Sequence, residues 1–101
     1  MANNQILEVI PGGDNVFEDL GFEAEEAASL QVRADLMLGL RQHIKDCGWN
    51  QEQAAEMFGV TLPCISNLVN GEISQFSVDK LINMLVRVGM DVKVEVVMKA
   101  A

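Results

Sequence analysis

Residues 50–71, NQEQAAEMFGVTLPCISNLVNG, decide the fold. Asn50 can cap a helix, and Gln53 three residues on completes a reciprocal capping box, so a short helix is expected from there to Phe58. Gly59 breaks it and permits a tight turn, Val60 points back inward, and Thr61 caps a second helix. Pro63 falls in the first turn of that helix, where its missing N–H costs nothing, and Asn70-Gly71 ends it. Ala55 is small where the two helices must approach closely, while Val60, Ile65 and Leu68 anchor the second helix to a core. A corner built this way leaves one helix exposed.

Working outward, the segment before the corner reads as a longer helix from about Glu23. Glu23, Glu25 and Glu26 suit its positive end, Met37, Leu40, Ile44 and Cys47 recur at helical spacing, and Gly48 closes it. After the corner, Ser77 caps a further helix with Val78, Leu81, Ile82, Leu85 and Val86 on one stripe, closed by Gly89. Asp91 to Lys99 then alternates, with Val92, Val94, Val96 and Met98 on one face, and reads as a strand. A strand needs a ladder, and two partners are open to it: Ile6–Ile10, a short apolar run stopped by Pro11-Gly12-Gly13, or the same strand of a second chain across a two-fold axis. Asn15 to Phe22 sets Val16, Phe17, Leu20 and Phe22 among acids, which suits either a turn tucked onto the core or a partner-binding segment.

The 101 residues make one domain with one core. Half are apolar, 5% are aromatic and none is Tyr, so that core is aliphatic and favours packed helices. The charged fraction of 22% beside so many apolar residues excludes a wholly disordered acidic chain. No apolar run reaches the ~18 to 20 residues of a membrane span, and no Lys or Arg occurs in the first twenty positions, so a cytoplasmic location without a secretory signal is expected.

The net charge of -8 is concentrated near the start: residues 1–40 carry eight acids against Arg33, whereas residues 76–101 carry four bases against three acids. An acidic run is usually a solvated face, but it also steers a basic protein partner. Taken alone, this balance opposes nucleic-acid binding, which draws on Lys and Arg. The corner itself argues the other way, since an exposed helix of this kind suits a DNA major groove.

Several patterns together resemble a known family. They are Asn15-Val16-Phe17-Glu18-Asp19-Leu20-Gly21, Trp49-Asn50-Gln51, Gly59-Val60-Thr61, Ile65-Ser66-Asn67-Leu68, Asn70-Gly71, Phe76-Ser77-Val78, Leu81-Ile82-Asn83-Met84-Leu85, and Gly89-Met90 with the valine-rich strand. In this order the chain resembles the Xre-type, phage-repressor-like helix-turn-helix family, and within it the HigA-type antitoxin branch. The resemblance implies a mostly α fold: a lambda-repressor-like helix-turn-helix bundle of four to five helices with one C-terminal β-strand, expected to pair across a homodimer through Val92, Val94 and Val96. The division expected is an acidic arm over 1–22, a DNA-binding domain over 23–90 and a dimerisation strand over 91–101. The function implied is a DNA-binding regulator that is the antitoxin of a type II toxin–antitoxin pair, repressing its own operon and silencing a basic, ribonuclease-like toxin. A stand-alone regulator and an interaction module that has lost specific DNA binding are the alternatives.

The DNA-contacting set expected is Gln51, Thr61, Leu62, Cys64, Ser66 and Asn67, with Arg41 and Lys45, one helical turn apart, touching the backbone. Gln51 matches the family position that touches phosphate. Where the family commonly offers Gln and Arg at the start of the second helix, this chain has Leu62 and Cys64, so base reading falls to Thr61, Ser66 and Asn67. The partner-binding set expected is Phe17, Asp19 and Leu20. His43 and Cys47 share a helix face at a spacing that metals use, but two ligands do not make a site. Neither a metal, a cofactor nor an enzymatic activity is expected, since no nucleophile with a base, phosphate loop or paired carboxylates occurs.

Overall fold

The computed structural model describes residues 6–9 and 16–95. Its elements are strand β1 (Ile6–Val9), helices α1 (Val16–Asp19), α2 (Ala24–Cys47), α3 (Gln51–Phe58) and α4 (Leu62–Val69), a 3-10 turn (Ile73–Gln75), helix α5 (Val78–Arg87) and strand β2 (Asp91–Val94). The fold is a mostly helical bundle with the expected helix-turn-helix, and the 3-10 turn is an addition that local sequence signals do not announce.

Local signals place the boundaries. The Asn50 side chain accepts from Gln53 N–H at 2.7 Å while Asn50 N–H donates to Gln53 Oε1 at 2.9 Å, so the capping box forms in full. Thr61 Oγ1 accepts from Cys64 N–H at 3.3 Å, and Ser77 Oγ accepts from Lys80 N–H at 3.1 Å. These caps satisfy helix-end donors that would otherwise have no partner.

The core lies where α2, α3, α4 and α5 meet, and its fully buried side chains are Phe58, Leu36, Leu40, Ile65, Leu68, Leu81 and Leu85. Each contributes about 1.5–3 kcal/mol by leaving water, which makes these few positions the main source of stability. Two stripes depart from expectation at their ends. Cys47 is exposed because the last turn of α2 runs past the core. Val86 is exposed while Met84 turns inward, so the buried stripe of α5 is Leu81, Met84 and Leu85.

The two strands pair in parallel, with Ile6 opposite Asp91 and Val9 opposite Val94. Of the two partners open to β2, the same-chain strand is the one observed on its described edge, and the whole helical bundle serves as the crossover that a parallel pair requires. The expected strand extended to Lys99; its described part ends at Val94, and Val96 lies outside the described residues. The sheet rests on α2 through a close approach: a Cβ added to Gly39 would lie 2.6 Å from Leu7 Cδ2. Glycine in mid-helix costs about 0.5–1 kcal/mol relative to alanine, so its use here marks a place where space, not propensity, decides. Residues 6–9 and 16–19, which charge alone groups with the acidic arm, thus pack on α2 and β2.

Arg33 performs a task that charge counting missed. From α2 its Nη1 donates long hydrogen bonds, at 3.5 Å, to the carbonyls of Ile73 and Phe76, holding the 3-10 turn that links α4 to α5.

Candidate nucleic-acid interface

Helix α4 presents one face to solvent because its other face is committed to the core. Ile65 and Leu68 are fully buried, whereas Thr61, Leu62, Pro63, Val69 and Asn70 are exposed and Ser66 and Asn67 are half-buried. The leading tip, Thr61-Leu62-Pro63, is mainly apolar. Leu62, 44% exposed, suits contact with a thymine methyl group, and Asn67 and Ser66 behind it supply hydrogen-bonding groups. Thr61 has its oxygen engaged in capping but keeps its hydroxyl proton for donation.

Cys64 requires a correction. Its side chain is only 7% exposed and belongs to the core, so it does not face a groove. Its spacing carried the signal: Cys64 lies one helical turn before Leu68, an anchor of the same helix, and both fall on the inward face. Pro63 and Asn70, absent from the expected contact set, are exposed on the outward side.

Gln51 opens α3 on the surface, immediately after the Asn50 cap, beside helix-end N–H groups that favour phosphate. Arg41 and Lys45 are both exposed on α2. Arg41 borders a groove of about 350 Å³ that also contains Phe17, Leu38 and Gly71, which places it toward the C-terminal end of α4 rather than beside Gln51.

The turn between the helices is crowded. Gly59 has φ +69°, a left-handed conformation that side chains disfavour, and a Cβ there would lie 2.5 Å from Arg87 Nε. The corner therefore closes on a bare backbone with the guanidinium of α5 against it.

Residues 16–97 match a family described as a helix-turn-helix domain. The chain belongs to this helix-turn-helix family. The match begins at the residue that opens α1 and extends beyond β2, so the helix-turn-helix domain includes α1 as well as the capped corner. No curated protein matches the chain. As a helix-turn-helix domain it is a DNA-binding module.

Elsewhere the helix-turn-helix domain has few chemically convergent groups. Among the described residues no three His, Cys, Asp or Glu side chains gather as metal ligands, and no helix is long and apolar enough to cross a membrane. Cys47 Sγ lies 3.6 Å from His43 Nε2, and the His43 ring packs edge-on to Trp49 at 5.2 Å, which ties the end of α2 to the start of the corner.

Proposed function

We propose that this regulator represses its own operon as a dimer and acts as the antitoxin of a type II pair. The observation that carries the regulator reading is the outward face of α4, with Thr61, Leu62, Ser66 and Asn67 beside the capped start of α3 at Gln51. Gln51 positions the protein on phosphate, and Asn67 reads a base edge. Gln51→Ala is expected to weaken binding to specific and arbitrary duplexes alike. Asn67→Ala is expected to lose about 1–3 kcal/mol of discrimination at one base pair. Binding isotherms on the upstream DNA and on a scrambled duplex check both, and a wild-type protein that binds neither at low salt defeats the reading.

Support for the antitoxin role comes from the surface formed by α1 and the start of α2. Val16, Leu20 and Phe22 are exposed there, 56%, 69% and 41%, among Asp19, Glu23, Glu25 and Glu26. Apolar anchors inside an acidic rim suit a basic protein, such as a ribonuclease-like toxin. This surface is built from other elements than α3 and α4, so one molecule could hold both partners.

The dimer reading rests on β2. Among the described residues β2 is the end strand of a two-stranded sheet, and Val94 is 45% exposed. An open apolar edge favours pairing with a second copy. Val94→Lys is expected to shift sedimentation from dimer to monomer while the helical circular dichroism signal stays unchanged; a variant that remains dimeric removes β2 from the interface.

A further inference from the structure

The outward face of α4 contains no Lys or Arg, although the DNA backbone is bound mainly through such residues. The chain has seven bases in all, and Arg33 is already committed to the carbonyls of Ile73 and Phe76. Two others converge on a single open cleft of about 510 Å³ beside the turn between α3 and α4. Gly59 and Val60 border it from the turn, and Ser77, the cap of α5, with Lys80, Asn83 and Arg87 of α5 border it from the other element. Lys80, Asn83 and Arg87 recur at three and four residues, which aligns them as one stripe on α5. Asp79 also borders the cleft, leaving two cations to one carboxylate.

We propose that Lys80 and Arg87, with Ser77 and Asn83, form a phosphate clamp that grips the DNA backbone next to the helix-turn-helix turn. The proposal rests on the DNA-binding reading and adds to it a site on α5, outside the two helices of the corner. Its geometry follows from Gly59. With no side chain at that position, the Arg87 guanidinium lies against the backbone of the turn, where a Cβ would come within 2.6 Å of its Cζ. A planar guanidinium carries a fork of N–H donors that matches two phosphate oxygens. Lys80 stands one turn above the α5 cap with its Nζ 5.8 Å from the Phe76 ring centroid, and among the described residues neither cation is bound to a carboxylate. The turn leads directly into Thr61 and the tip of α4. A duplex that accepts this tip in its major groove has its sugar–phosphate backbone crossed by the preceding helix, α3, whose last residue, Phe58, borders the cleft.

The test is the salt dependence of binding to a short duplex of arbitrary sequence, measured by fluorescence anisotropy. In the Lys80→Gln/Arg87→Gln double variant the slope of log K against log salt should fall by about 1.8, or about 0.9 for each phosphate that is no longer neutralised. The charge-keeping Lys80→Arg/Arg87→Lys variant should retain the wild-type slope, which separates loss of charge from disturbance of the turn. A thermal melt of each variant shows that the fold is kept. An unchanged slope in the Gln variant overturns the clamp while the DNA-binding reading stands. If the wild-type protein binds no duplex, that reading falls, and a pyrophosphate titration followed by amide NMR decides the clamp alone. Shifts at Gly59, Val60 and Ser77 that vanish in the Gln variant support it as a general anion site, and an absence of shifts overturns it.

Discussion

Phe58→Ala is expected to cost the domain about 3–5 kcal/mol, a large part of the ~5–15 kcal/mol that stabilises a native protein. Phe58 is 2% exposed and sits at the end of α3, where it packs among the leucines of α2, α4 and α5. Its ring lies edge-on to Trp49 at 5.7 Å and near His43 at 6.4 Å, so truncation removes aromatic packing and opens a cavity at the corner. Trp49 is the one tryptophan in the chain and reports the event directly. Urea unfolding followed by its fluorescence should show a lower midpoint with an unchanged slope. Met57→Ala, one residue earlier but 48% exposed, should change stability by no more than about 0.5 kcal/mol. A loss below about 1 kcal/mol for Phe58→Ala would mean that the corner is not seated on this ring.

The second large effect concerns the proposed toxin surface. Under the proposed antitoxin role, Asp19→Lys with Leu20→Ala should abolish protection of cells against a co-expressed basic toxin, while the melting temperature and DNA binding stay at wild-type values. Leu20 is 69% exposed in the turn after α1, so its truncation removes the proposed partner anchor and almost nothing from the fold. Phe17 answers a different question. It is half-buried, stacks edge-on with Phe22 at 6.2 Å and borders the groove against α2, so Phe17→Ala removes intramolecular packing as well. Of the three residues expected to bind a partner, Asp19 and Leu20 give the clean experiment. Full protection by the double variant would remove this surface from the antitoxin role.

The corner was legible because its determinants are local. Asn50 with Gln53, Gly59, Thr61 and Pro63 act within a few residues of themselves, and each formed the cap, turn or first-turn contact that its chemistry favours. Features set by distant contacts were not legible. The bonds from Arg33 to Ile73 and Phe76, the cleft that joins Gly59 to Arg87, and the choice of Ile6–Val9 as partner for β2 all depend on how the helices cross. Cys64 stands between these cases. Family position placed it among the groove contacts, whereas helical phase placed it beside Ile65 and Leu68, and phase decided where the thiol points.

The pairing of β1 with β2 also has a kinetic consequence. Its partners come from opposite ends of the chain, so closing that ladder fixes a much longer loop than any contact within the corner. The helices should therefore assemble first and the ladder clasp last. The same order in reverse makes the clasp a unit that opens by itself, and amide hydrogens of Ile6–Val9 and Asp91–Val94 should exchange well before those around Ile65 and Leu68. A molecule with its clasp undone would still carry the capped corner, while both edges of β2 lay bare and the helical domain stayed folded.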